Sequence, residues 1–161
     1  MGSGKTTFGK KLASSLNYPL FDLDQEIEAI VNQSVPEYFA AHGEESFRML
    51  EKQTLQEGKY PEDCVISCGG GSPCYFDNMD WMNLNGVTVY LEMAPLALAS
   101  RLEKKKYKRP LIKDLDEAGL LQFIETKLAE RLPFYSKAKL TIGGIDINTE
   151  LVKDQILNSG S

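Results

Sequence analysis

No apolar run in the sequence approaches the ~20 residues that a membrane-spanning helix needs. No secretory pattern opens it either, because its first residues are glycine-rich and polar. Cysteine is scarce. Cys64, Cys68 and Cys74 form an odd count without a paired C-x-x-C spacing, which argues against disulfides and against a zinc site. They read as reduced thiols, and the expected compartment is the cytoplasm. Histidine occurs once, at His42, in a stretch read as an exposed polar turn. An excess of positive charge is also missing: the 161 residues carry a formal net charge of -5, so nothing points to a nucleic-acid or membrane partner. An anionic small ligand stays open, since a local Lys/Arg cluster can form in an acidic protein. Repeats and low-complexity segments are absent, and 42% hydrophobic with 25% charged residues suits one globular domain, residues 1–161.

What is present alternates between strand-like and helix-like stretches. Phe8, Leu12, Ala13 and Leu16 fall at helical spacing, ending at Asn17. Pro19 to Asp24 reads as a short strand closing on two acids. Ser34-Val35-Pro36-Glu37 is a capping box with proline inside the start, Gly43 breaks that helix, and Glu44 to Glu57 forms the next. Cys64–Cys68 and Val87–Leu91 read as strands, Pro95–Glu103 as a helix, and Lys104–Pro110 as a basic, poorly structured stretch. Leu115–Leu132 reads as an amphipathic helix, Leu140–Ile142 as a last strand and Thr149–Leu157 as a closing helix. This alternation predicts an α/β domain with a mostly parallel sheet, whose ligands collect beyond the carboxyl ends of the strands. Three motifs fall on that rim.

The first motif is Gly2-Ser3-Gly4-Lys5-Thr6-Thr7, the second half of the phosphate-loop pattern G-x-x-x-x-G-K-[ST]. Its glycines let successive N–H groups point at phosphate oxygens before a helix N-terminus; Lys5 can reach the outer phosphates and Thr6 can hold Mg²⁺. The second is Asp22-Leu23-Asp24, where strand alternation sends the two carboxylates to opposite sides, one to metal and phosphates and one to an acceptor. A plain alternative is that Asp24 only caps the following helix. Gly69-Gly70-Gly71 is the third; three glycines cost chain entropy and suit close approach to a ligand, although a bare loop is the alternative. Arg48 and Glu51, three apart, can pair, and the bland account is a surface salt bridge. The Lys104–Arg109 run is either a solvated face or a mobile lid carrying a cation over a transferring phosphoryl group. Arg131, just before a proline break, can clamp a carboxylate or favour the helix dipole.

In chain order, GSGKTT, DLD, GEESFRMLE, GGG, RPLI and ERLPFY resemble the shikimate kinases of the nucleoside-monophosphate-kinase group of P-loop proteins, and the likeness spans nearly the whole chain. The resemblance implies a three-layer α/β/α domain with a five-stranded, mostly parallel sheet of order 2-3-1-4-5. It also implies a substrate-binding helical segment at about 25–57 and a lid at about 104–115. The implied reaction is ATP- and Mg²⁺-dependent phosphorylation of the 3-hydroxyl of shikimate in aromatic amino-acid biosynthesis; nothing in the sequence suggests an obligate dimer, and a monomer is expected. By the same resemblance, Gly2, Ser3, Gly4, Lys5, Thr6 and Thr7 bind ATP, with Arg101 near adenine and Arg109 on the lid. Thr6 and Asp22 serve Mg²⁺. Asp24 meets the attacking hydroxyl, and Lys5, Asp24 and Arg109 form the catalytic set. Arg48 and Arg131 clamp the carboxylate, while Val35, Phe39, Gly69, Gly70 and Gly71 line the pocket.

Two features depart from the family pattern. The loop after the last strand reads Ile142 to Asn148 where members carry Thr-Asp and then Pro near the adenine. The first loop glycine and the central first strand are also missing, the glycine falling two places before Met1. Leaving that strand out strips backbone partners from its neighbours at ~1–3 kcal/mol for each buried group, against a total stability of about 5–15 kcal/mol. The expectation is that this chain alone folds poorly or is inactive, and that the natural one starts roughly ten residues earlier. The competing readings are a related sugar-acid kinase such as a gluconate kinase, and a non-catalytic ligand-binding protein.

Overall fold

The computed structural model describes residues 2–109, 111–144 and 147–159. Local chemistry sets its element boundaries. Helix α1 (Lys5–Leu16) starts from Gly4 at φ 82° and ends on Asn17 at φ 58°. Glycine takes left-handed backbone without a Cβ clash, and asparagine tolerates it better than most residues. Strand β1 (Leu20–Asp22) is shorter than expected, because α2 (Leu23–Val31) begins at once. Asp22 caps that helix, its Oδ1 accepting from the N–H groups of Asp24 at 3.1 Å and Gln25 at 3.4 Å. So Asp22 makes the cap that the sequence had offered to Asp24.

Ser34 and Glu37 close the expected capping box at the start of α3 (Val35–Glu57), with Ser34 N–H donating to Glu37 Oε2 at 2.9 Å. Gly43, at φ 80° and ψ 174°, kinks α3 into two helical runs, as its position predicted. His42 is helical instead of lying in a turn, its ring 4.4 Å from that of Tyr38. After β2 (Val65–Ser67) come a 3₁₀ turn (Ser72–Cys74) and α4 (Asn78–Asn85), in a stretch whose elements the sequence reading left unassigned.

The other half follows with β3 (Val89–Glu92), α5 (Pro95–Glu103), a 3₁₀ turn (Lys106–Lys108), α6 (Glu117–Tyr135), β4 (Leu140–Gly143) and α7 (Thr149–Ser159). Pro133 does not end α6, which runs on to Tyr135. A proline removes one helical hydrogen bond, and here the loss falls in a final turn closed by Ser136 N–H donating to Leu132 O at 2.9 Å.

Strands β1 and β2 pair in parallel with Phe21 opposite Ile66, and β3 pairs in parallel with β4, Tyr90 opposite Thr141. Among the described residues no strand joins the two pairs. They match the outer pairs of a 2-3-1-4-5 order. Each pair has its own apolar cluster. Leu23, Ile27, Phe47 and Leu55 close the space between α2 and α3. Met93, Leu98, Ala99, Leu102, Ile112, Leu120 and Ile124 close the space beside β3 among α5, α6 and the segment between them. Ile112 is only 1% exposed, so the segment expected to form a lid is pinned at its far end. No described helix is long and apolar enough to cross a membrane.

Candidate active site

The glycines of GSGKTT are fixed by conformation and by crowding together. Gly2 and Gly4 hold positive φ, 68° and 82°. A Cβ at Gly2 would lie 3.1 Å from Leu102 Cγ, and one at Gly4 would lie 3.1 Å from Arg101 Nη1. The end of α5 therefore packs against the loop and brings Arg101 beside it. Lys5, Thr6 and Thr7 form the first turn of α1, where unpaired N–H groups suit a phosphate.

Beyond the loop, charged groups gather around the ends of β1 and β2. Burial pushes the Asp24 carboxyl above its ordinary range; Lys5 opposes that rise, while Asp22, Glu51 and Glu28 add to it. Burial likewise pushes the Cys68 thiol up to about 12, with Glu51, Lys5, Asp24 and Asp22 all acting on it. Lys5 and Asp24 therefore share one site. Strand alternation does not separate Asp22 from Asp24. Asp22 ends the strand and caps α2; Asp24 lies in the first turn of α2.

Arg48 and Glu51 are no surface pair. Their side chains are 13% and 2% exposed, and Arg48 Nη1 donates to Glu51 Oε1 at 2.8 Å. Burial alone pulls the Arg48 pKa down, but the Glu51 hydrogen bond and charge outweigh it and hold it above the ordinary value. The other Glu51 oxygen accepts from Ser72 Oγ at 2.6 Å, and Asn78 Nδ2 donates to Ser72 O at 2.9 Å. Ser72 and Asn78 are both fully buried.

The triple glycine is packed into this network and is not a bare loop. A Cβ at Gly69 would sit 3.3 Å from Ser72 Oγ and 3.8 Å from both Asp24 Oδ1 and Glu51 Oε2. One at Gly71 would sit 2.6 Å from Arg48 Nη2, so a side chain there would displace the guanidinium. The Gly70 carbonyl accepts from the Tyr135 hydroxyl at 2.5 Å, and the Tyr135 ring stacks against Tyr90 at 4.8 Å. That bond ties α6 to the glycine loop.

The same tie brings Arg131 to the site. Burial raises the Cys74 thiol pKa, and both Arg131 and Arg48 oppose the rise, so both guanidiniums lie within electrostatic reach of that thiol. Val35 packs on the α2–α3 cluster and Phe39 lies 5.6 Å from the Phe47 ring. Arg109 is exposed at the end of the second 3₁₀ turn. Pro110 of RPLI, and Ile145 and Asp146 of the loop expected near adenine, lie outside the described residues. A cleft of about 360 Å³ lined by Phe21, Ile30, Leu50 and Tyr60 contains none of the candidate site residues.

A family model for shikimate kinase matches residues 1–159. The chain belongs to the shikimate kinase family. It is 44% identical to a shikimate kinase of Parabacteroides distasonis, over 99% of this chain and 92% of that protein. Its fold is similar to the crystal structure of a shikimate kinase from Bacteroides thetaiotaomicron, with a TM-score of 0.87 and 39% identity over 99% of this chain and 93% of the other. A shikimate kinase from Acinetobacter baumannii, solved in complex with shikimate, matches at a TM-score of 0.82 and 29% identity over 99% and 87%. The P-loop α/β fold is that of the family's solved members.

Several residues of the site escaped the sequence reading. Ser72, Asn78 and Tyr135 carry hydrogen bonds that set Glu51 and Gly70. The small-residue turn Ser72-Pro73-Cys74 directly after three glycines was the available signal.

Proposed function

We propose that the protein transfers the γ-phosphoryl group of ATP to the 3-hydroxyl of shikimate. The observation that supports this most is the meeting of Lys5 and Asp24 at one rim, with Arg48 packed against Gly71 beside them. Phosphoryl transfer needs placement and charge stabilisation more than covalent help. Lys5 and the loop N–H groups would hold the phosphates of ATP. Arg101 would sit at the loop's edge, with Arg109 above the transferring group when the segment at about 104–115 closes.

On the acceptor side, Arg48 and Arg131 would clamp the carboxylate of shikimate, between the walls formed by Val35, Phe39 and Gly69–Gly71. Asp24 would take the hydrogen bond of the attacking hydroxyl. Its raised pKa makes it a stronger proton acceptor than an exposed aspartate.

Thr6 and Asp22 are the residues that would hold Mg²⁺. One hydroxyl and one carboxylate suit an ion that keeps most of its ligands as water and phosphate oxygen. The cap occupies Oδ1 of Asp22 and no other carboxylate oxygen of that residue. When bound, the ion would neutralise charge developing between the outer phosphates. Three free cysteines favour a reducing cytoplasm as the working compartment.

The test is ADP release with shikimate, gluconate and nucleoside monophosphates as acceptors. Turnover confined to shikimate is expected; equal turnover with gluconate would overturn the reading.

A further inference from the structure

The Arg48 guanidinium has a neighbour that belongs to none of the six motifs. Its Cζ lies 4.2 Å from the centroid of the Tyr75 ring, closer than the 5.2 Å to Phe47. Its Nε is buried without a hydrogen-bond partner, so its two amino groups are the ends left for a ligand. Glu51 takes one hydrogen of Nη1 at 2.8 Å, and Glu44 approaches Nη2 at 3.5 Å. The Tyr75 ring covers one face of the plane.

The ring itself is fixed from two sides. Its hydroxyl donates to Glu44 Oε1 at 2.7 Å, just past the Gly43 kink of α3. That bond lowers the Glu44 pKa and raises that of Tyr75. On the chain's other side, Phe76 holds φ 52°, a conformation unfavourable for an aromatic residue unless its surroundings impose it. The surroundings do impose it. Lys52 pairs with Asp77 at 2.8 Å, Gln56 donates to Asp77 and Asn78 at 3.0 Å each, and Lys52 Nζ lies 5.4 Å from the Phe76 ring. Two residues of α3, Lys52 and Gln56, thus hold residues 76–78 and turn Tyr75 back over Arg48.

We propose that Tyr75 is a positioning residue for acceptor binding, its ring fixing the plane of the Arg48 guanidinium so that the two amino groups face the substrate carboxylate. This rests on the assignment of Arg48 to that carboxylate. A cation over an aromatic face gains ~0.5–2 kcal/mol, depending on how far water is excluded. The effect should fall on acceptor affinity, because Tyr75 contacts neither the phosphate loop nor Asp24 in any hydrogen bond or ring contact among the described residues.

The experiment measures kcat and both KM values for the full chain and for Tyr75→Leu, Tyr75→Phe, Arg48→Lys and Arg48→Lys/Tyr75→Leu, with a thermal melt of each. Tyr75→Leu should raise the shikimate KM by about twofold to thirtyfold across that range, with kcat and the ATP KM within about twofold. Tyr75→Phe, which keeps the ring, should restore most of the affinity. Tyr75→Leu should add nothing once Arg48 is lysine, whose ammonium has no plane to orient. An unchanged shikimate KM in Tyr75→Leu, a Tyr75→Phe variant as impaired as Tyr75→Leu, or additive effects in the double variant would each overturn the proposal. Should Arg48→Lys alone leave the shikimate KM unchanged, the Arg48 assignment fails, and this inference with it.

Discussion

The two halves of the molecule hold their functional groups by different means. Around β1 and β2 the site is polar and already in place. Arg48, Glu51, Ser72 and Asn78 are buried or half-buried and cross-linked by short hydrogen bonds, with the half-buried Asp24 beside them. Around β3 and β4 the packing is apolar. Leu98, Leu102 and Ile112 form the interior, while Arg101 and Arg109 stand at the surface without a hydrogen bond or ion pair from their side chains among the described residues. A buried polar network rigidifies what it contains, provided each member is satisfied. An apolar anchor with exposed charges leaves those charges free to follow a ligand. On the proposed function, the first half would select the acceptor and the second would close over the nucleotide. That contrast can be broken one residue at a time.

Asp24→Asn should have the largest effect, because it separates catalysis from stability. Loss of a positioned proton acceptor is expected to lower kcat by about 10²–10⁴-fold, read by ADP release. Stability should move the other way. The Asp24 pKa is raised in the folded chain, chiefly by burial, so folding binds its proton more tightly than the unfolded chain does. The stability this group contributes is therefore present at low pH and is lost as pH rises through the folded value. At neutral pH the ionised carboxylate is a burden, and asparagine removes it. The variant should melt above the parent at about pH 7, with the gap closing toward about pH 4. A variant that melts lower at neutral pH would show that the ionised Asp24 is stabilised by Lys5 more than burial opposes it.

Glu51→Ala tests the acceptor-side network. It leaves Arg48 and Ser72 facing a buried vacancy, and breaking a buried pair in this way costs about 3–5 kcal/mol. Urea unfolding should show that loss, and the shikimate KM should rise more than the ATP KM. Ile112→Ala tests the opposite half, at about 2–5 kcal/mol for a fully buried isoleucine. Its kinetic signature should be reversed, with the ATP KM rising while the shikimate KM holds. If both variants raised the two KM values alike, the halves would be one cooperative unit, and the contrast drawn between them would fail.

The motifs whose backbone conformation and packing are special were legible in the sequence, since they demand particular residues at close spacing. Gly4 needs positive φ, Lys5 follows it, and Gly71 must leave room for Arg48. Local signals such as Ser34-Glu37 and the Gly43 break were readable for the same reason. Features settled by competition between neighbours were not. Asp22 and Asp24 both suit a helix cap, and only the actual end of β1 decides that Asp22 takes it. Glu51 at three residues from Arg48 looks like any exposed helical pair until the glycine loop and α4 cover it. Ser72, Asn78 and Tyr75 act through partners 21 to 31 residues away, which no local periodicity encodes. Pro133 looked like a helix end because its cost is local, whereas the contacts of Tyr135 that continue α6 are with β3 and the glycine loop.

The smallest expected effect concerns the only tether between the halves that runs through the substrate site itself among the hydrogen bonds described. Tyr135 on α6 donates to the Gly70 carbonyl and stacks on Tyr90 of β3, while Gly70 lies in the loop after β2. Tyr135→Phe keeps the stack and removes the hydrogen bond, a loss of about 1 kcal/mol. Its stability effect should accordingly be small in a urea titration. Kinetically it should touch both substrates by about twofold each, because it loosens Arg131 on one side and the glycine loop on the other without unseating either. A loss confined to shikimate would place Tyr135 wholly within the acceptor-side network. One confined to ATP would place it with the apolar half, and either result would redraw the boundary between them.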